Sequence, residues 1–142
     1  MKMFLLLDPP RTTAQETQVS IVGNKPVFYK PTKLKDARNM LIKHLRPFKP
    51  AVPLEGPIKL EVIWRFPKGK SHKHYEWKIT RPDTDNLDKM LKDCMTQLGY
   101  WKDDAQVVVE HIEKIWSDDP VGISINYESL EKFKKEELND ES

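Results

Sequence analysis

Arg81-Pro82-Asp83-Thr84-Asp85-Asn86-Leu87-Asp88-Lys89-Met90-Leu91-Lys92-Asp93-Cys94-Met95-Thr96-Gln97-Leu98-Gly99-Tyr100-Trp101-Lys102-Asp103-Asp104 decides how this chain is read. Leu87, Met90, Leu91, Cys94, Met95 and Leu98 recur at i, i+3, i+4, i+7, i+8 and i+11, the apolar stripe of an amphipathic helix. Asp85 or Asn86 suits its N-cap, and Gly99 suits the left-handed residue that ends it. Ahead of the helix, Asp83 and Asp85 lie two apart, so extended backbone there sends both carboxylates the same way. Behind it, Val107-Val108-Val109 opens a strand that runs to Trp116. The helix therefore carries the chain from one acidic pair to another, Asp103-Asp104.

Carboxylates that converge repel one another unless a cation sits between them, and hard oxygen ligands suit Mg²⁺ or Mn²⁺. Lys89 stands four residues after Asp85, in the first helical turn, where the helix dipole disfavours a cation. It lies off the apolar stripe and near Asp85, a position suited to holding a phosphate oxygen. The pattern also admits a plainer reading. Asp85 is then only a cap, Asp88 a first-turn acid, Asp103-Asp104 a turn, and Lys89 a solvated side chain.

The strings Pro82-Asp83-Thr84-Asp85-Asn86-Leu87, Lys89 and Trp101-Lys102-Asp103-Asp104-Ala105-Gln106-Val107 resemble the signature of the RusA-type Holliday junction resolvases of bacteria and their phages. The likeness is close from about Arg81 to Val109 in residue type, order and spacing. It implies an endonuclease that resolves four-way DNA junctions by paired cuts, acting as a homodimer. It also implies catalytic and metal-binding roles for Asp83, Asp85 and Asp104, with Lys89 as the catalytic lysine and Mg²⁺ as cofactor (Mn²⁺ substituting). Asp103 is a weaker candidate, a ligand or a partner to one. The metal assignment needs the three aspartates to meet around one ion. Two rival readings are a branched-DNA-binding protein without activity and a metal nuclease acting on flaps or forks.

Outward from the motif, Lys68 to Lys78 forms a basic loop interleaved with Tyr75 and Trp77. Lysines there can neutralise phosphates while the aromatics stack on unpaired bases, so Lys68, Lys70, Lys73, Lys78 and Arg81 are candidate DNA contacts. His72 and His74 have no second Cys/His pair to complete a zinc site. Before the loop, Ile58, Leu60, Val62, Trp64 and Phe66 alternate with polar residues as a half-buried strand. Pro47, Pro50, Pro53 and Pro57 make a stiff connector ahead of it. A helix capped by Thr32 and ended by Pro47 has Leu34, Ala37, Leu41 and Leu45 on one side, and Lys33, Lys35, Arg38, Lys43 and Arg46 on the other.

Gln18–Val22 and Pro26–Tyr29 read as a hairpin about Gly23-Asn24-Lys25, and Met3 to Leu7 as a strand buried on both faces. Pro9-Pro10 occupies the place of a Pro-Pro-Ser-x-Asn segment in the family, from which this chain departs, so the resemblance assigns no role to Thr13 or Gln15. After the turn Asp118-Asp119-Pro120, Val121, Ile123, Ile125 and Tyr127 alternate as a last strand, expected to pair with its predecessor. About five strands and two main helices give an α+β domain with a mixed sheet, residues 1–127, then a charged tail, 128–142, as a short helix or frayed.

The composition is that of a globular protein, 38% hydrophobic and 32% charged in 142 residues. No run is long enough to span a membrane, and the first seven residues are too short for a signal sequence. The single cysteine, Cys94, falls on the apolar stripe, so a core thiol in the cytoplasm is expected. Net charge is only +2, but residues 1–82 hold 17 Lys/Arg against 6 Asp/Glu, and the remainder 7 against 16. That asymmetry is expected where one part follows a phosphate backbone and another gathers metal-binding acids.

Overall fold

In the computed structural model, residues 1–11, 18–22, 25–29 and 32–136 are described, the side chains of 18–22, 25–29 and 32 aside. The strand with the cleanest alternation organises the rest. β4 (Ile58–Pro67) turns Ile58, Leu60, Val62, Trp64 and Phe66 inward, all fully buried, each worth roughly 1.5–3 kcal/mol of burial. Such a row is best covered when both edges of its strand are paired, and β4 is indeed central. The sheet order is β1-β6-β4-β5, with β1 Lys2–Leu5, β5 Val107–Ser117 and β6 Gly122–Ser129. β1 and β4 both run antiparallel to β6, while β4 and β5 are parallel. The architecture is the expected α+β domain with a mixed sheet and two helices.

Parallel neighbours need a crossover, and helix α2 (Thr84–Leu98) supplies it. Its stripe is buried as the periodicity predicts, with Leu87, Met90, Leu91, Cys94 and Met95 in the core. Gly99 adopts φ 86° and closes the helix, and Tyr100 N–H returns to the Met95 carbonyl at 3.0 Å. Helix α1 (Thr32–Leu45) packs beside α2 through Leu34, Leu41 and Leu45. The proline connector is tied to this core, since Leu54 N–H donates to the Tyr100 carbonyl at 2.9 Å. Tyr100 Oη reaches the Leu45 carbonyl at 2.6 Å, joining the ends of both helices.

Several expectations are corrected. Among the described residues there are six strands, β2 (Gln18–Val22) and β3 (Lys25–Tyr29) forming the expected antiparallel pair apart from the main sheet. Of the residues proposed to turn that hairpin, Lys25 is the first of β3, while Gly23 and Asn24 lie outside the described part, as do the Thr32 side chain, Thr13 and Gln15. β6 does not pair with β5. Much of the outer edge of β5 is already used: Lys78 N–H donates to the Lys114 carbonyl at 3.0 Å, and Tyr75 N–H to that of Trp116 at 2.8 Å. β6 instead lies along the other edge of β4.

β1 is an edge strand, not one buried on both faces: Leu5 is buried, whereas Leu6, beyond its end, is 73% exposed. β6 continues to Ser129, past the expected start of the tail, and residues 131–136 form no helix. Between β1 and β6 the backbones approach so closely at Gly122 that any Cβ there meets the Leu5 carbonyl oxygen.

Candidate active site

α2 begins at Thr84, not at the expected Asp85 or Asn86 cap. Asp83 is the N-cap, extended at φ −74°, ψ 150°, and its side chain makes no capping hydrogen bond. Asp83 and Asp85 are therefore not two residues of one extended segment, since Asp85 already lies in the first helical turn. Both are exposed, and so is Lys89, one turn further along. A cap carboxylate that leaves the helix N–H groups unclaimed keeps its lone pairs for something else. The pair sits where the helix dipole favours negative charge.

Asp104 opens a short 3-10 turn, Asp104–Gln106, just before β5. Asp103 caps that turn: its carboxylate accepts from Ala105 N–H at 2.8 Å, and the Gln106 side chain returns to the Asp103 N–H at 3.1 Å. Gln106 also donates to the carbonyls of Leu54 and Gly56, each at 3.0 Å. Asp103 is thus the cap that presents its neighbour. The spacing Asp-x-x-Gln announces this box in the sequence.

The two acidic ends are far apart. α2 has 15 residues and so spans about 22 Å. Its start adjoins Lys114, because the Lys114 ammonium binds the Pro82 carbonyl at 2.7 Å. Asp104–Gln106 adjoins Val107, and from Val107 to Lys114 β5 climbs roughly 23 Å. Allowing for the reach of the Lys114 side chain, both routes put the ends on the order of 15–20 Å apart. Within one chain, then, the three aspartates do not meet, contrary to the expectation, and among the described residues no three His, Cys, Asp or Glu side chains are grouped to hold a metal. In chemical type the exposed pair fits a hard divalent cation, supplying two of its oxygen ligands.

Beneath the pair lie groups that sequence reasoning missed. Lys114 donates to the Thr80 and Pro82 carbonyls at 2.8 and 2.7 Å. Burial lowers its pKa, and Asp83 nearby partly offsets this. On the next turn of α2, Asp88 is buried, with Lys92 3.5 Å from Asp88 and 2.6 Å from Glu110 of β5. Burial first, then a hydrogen bond and repulsion from Glu110, raises the Asp88 pKa to about 7. Burial pushes Glu110 the same way, but hydrogen bonds from Asp88 and Lys92 outweigh it and hold it low. Asp88 Oδ1 has no hydrogen-bond partner, and an Asp88 carboxyl that keeps its proton donates to Glu110. The i, i+4 spacing of Asp88 and Lys92 was a legible signal; a lysine at position 114 gave none.

Of the candidate DNA contacts, Lys70, Lys73 and Arg81 are exposed and Lys68 is half-buried. Lys78 is corrected: it is 7% exposed, its ammonium 4.3 Å from the Trp116 ring centre and 5.0 Å from that of Phe66, donating to Thr80 Oγ1. The aromatic faces and the hydroxyl hold it inside, where no backbone phosphate reaches. Trp77 is 63% exposed and open for stacking, whereas Tyr75, 56% exposed, already stacks on His74 with the Arg65 guanidinium 5.5 Å from its ring centre. His72 stacks on Trp116, and His74 Nδ1 lies 2.8 Å from the Asp118 carboxylate, so each ring has a structural task. On α1, Lys33, Lys35 and Lys43 are exposed, while Arg38 turns to Asp93 at 3.9 Å. No helix among the described residues is long and apolar enough to cross a membrane.

The family model described as Endodeoxyribonuclease RusA matches residues 9–128. The chain is 34% identical over 113 residues to the crossover junction endodeoxyribonuclease rusA of Lactococcus phage r1t, covering 77% of this chain and 83% of the phage protein. It is 30% identical over 112 residues to the uncharacterized protein YqaN of Bacillus subtilis (strain 168), covering 71% and 78% of the two chains.

Proposed function

Since the chain belongs to the RusA endodeoxyribonuclease family, we propose that it resolves Holliday junctions by Mg²⁺-dependent hydrolysis of paired phosphodiesters, as a homodimer in the cytoplasm. The observation that carries this reading is the uncommitted exposed pair Asp83 and Asp85, with Lys89 one helical turn away, inside the matched region. Asp83, Asp85 and Asp104 would hold the metal, which supplies Lewis-acid polarisation of the phosphate and a more acidic bound water. The separation within one chain is reconciled by a two-fold dimer. In it, Asp104 of the second copy stands against Asp83 and Asp85 of the first, giving two equivalent composite sites.

The side chains divide the remaining work. The Lys89 ammonium offsets charge that develops on the phosphate oxygens during cleavage. Lys68, Lys70, Lys73 and Arg81 neutralise phosphates along the arms, and Trp77 stacks on bases at the crossover. Water is the nucleophile in this reading. Cys94, the single thiol, is fully buried, and burial pushes its pKa up to about 11, so no thiolate is available.

The test is a labelled four-way junction incubated with the protein and Mg²⁺, beside flap and fork substrates. Symmetric nicks in opposite strands of the junction, lost in Asp83→Asn while binding persists or tightens, are the expected result. Cleavage by Asp83→Asn at the normal rate defeats the site assignment. Binding without nicks points to a non-enzymatic junction binder, and preference for flaps or forks points to a different nuclease.

A further inference from the structure

We infer that Lys114 is a positioning residue for Asp83, resting on the endonuclease reading above: its ammonium pins the segment 80–82 to β5 and so fixes where the acidic pair stands. This segment has little packing of its own. Ile79 is 92% exposed, Thr80 and Arg81 are exposed, and only Pro82 is buried. Its place is set by hydrogen bonds. Lys114 Nζ takes the Thr80 carbonyl at 2.8 Å and the Pro82 carbonyl at 2.7 Å, which brackets the two peptide units before Asp83. Lys78 backs the arrangement, its N–H on the Lys114 carbonyl at 3.0 Å and its ammonium on Thr80 Oγ1 at 2.5 Å.

Lys114 is half-buried, so its ammonium loses part of its water and the two carbonyls replace it. Among the described residues Lys114 has no carboxylate within ion-pair distance, and the acid whose field reaches it is Asp83. An ammonium can hold two carbonyls at once and still attract the carboxylate that follows them, which an uncharged side chain cannot. Displacing a reacting group by about 1 Å costs on the order of a hundredfold in rate, so loosening this segment acts on the chemical step. Junction affinity changes little, because Lys68, Lys70 and Lys73 of the exposed basic loop lie outside this segment and only Arg81 lies within it.

The experiment compares wild type, Asp83→Asn, Lys114→Met and Lys114→Arg in the full chain, measuring junction affinity without metal and the single-turnover cleavage rate in saturating Mg²⁺. Lys114→Met is expected to keep affinity within about twofold while its rate falls roughly 10- to 100-fold. Lys114→Arg, whose guanidinium also reaches two carbonyls, is expected to recover most of the rate. If Lys114→Met fails to fold, Lys114→Gln takes its place with the same two readouts. A normal rate in the uncharged variant overturns the inference, as does an equal loss of affinity and rate, which marks a merely structural lysine. A wild-type protein that cuts no junction overturns the endonuclease reading itself, so the two failures are distinct.

Discussion

Lys73 and Lys78 carry the same charge in the same basic loop, yet one faces water and the other lies over the rings of Trp116 and Phe66. Alternation of lysines and aromatics in the sequence suggested a uniform phosphate-binding strip. The fold divides it, because a buried ammonium with π-faces beneath it is satisfied inside the protein. Salt titration of junction binding separates the two roles. Lys73→Met is expected to reduce the slope of log affinity against log salt by about one, whereas Lys78→Met leaves the slope unchanged. A similar distinction holds for the neighbours Asp103 and Asp104. The first is spent on a capping box, whereas the second is not part of it and is the one proposed as a ligand. Residue type alone gave both the same candidacy.

At the scale of the element, α2 was the most legible part of the chain. Its stripe and its Gly99 terminus follow from local spacing, which the helix period imposes whatever the tertiary setting. Its polar contact with β5 was not legible, since Glu110 reaches Asp88 and Lys92 only through the crossover. This contact has a consequence for pH. Asp88 titrates at about 7 in the fold against an ordinary 3.8, so the unfolded chain gives up that proton first. Stability from this group is therefore full at low pH and falls as pH rises from about 4 to about 7. Glu110, held low, works in the opposite sense but below its ordinary 4.5, so it leaves most of that fall untouched. Asp88→Asn removes the falling contribution while keeping a donor for Glu110. Its melting temperature is expected to exceed that of wild type at about pH 8 and to approach it near pH 4, as scanning calorimetry at the two pH values would reveal. A wild-type-like fall with pH in that variant would exclude Asp88 as its source.

For the whole molecule, the decisive feature is that the aspartates proposed to hold the metal are close along the chain but divided in space. A dimer in which each site takes Asp83 and Asp85 from one copy and Asp104 from the other has a specific signature. Asp83→Asn and Asp104→Asn are each expected to be inactive alone. Mixed and allowed to exchange subunits, they form heterodimers with one intact site and one doubly altered site, which nick a single strand. Sites contained within one chain would leave the mixture silent, so a gel of the mixed proteins on a labelled junction decides between the arrangements.

The amino-acid sequence by itself determined the helix, the central strand, the α+β class and the acid–lysine motif, because each rests on short-range periodicity or on spacing within a few turns. Only the tertiary structure decided that β6 crosses to the far edge of β4, that Lys114 braces Asp83, and that Asp104 lies a helix length from its partners. Those outcomes depend on which edges and polar groups remain free after the strands pair, and one-dimensional spacing carries no information about that competition.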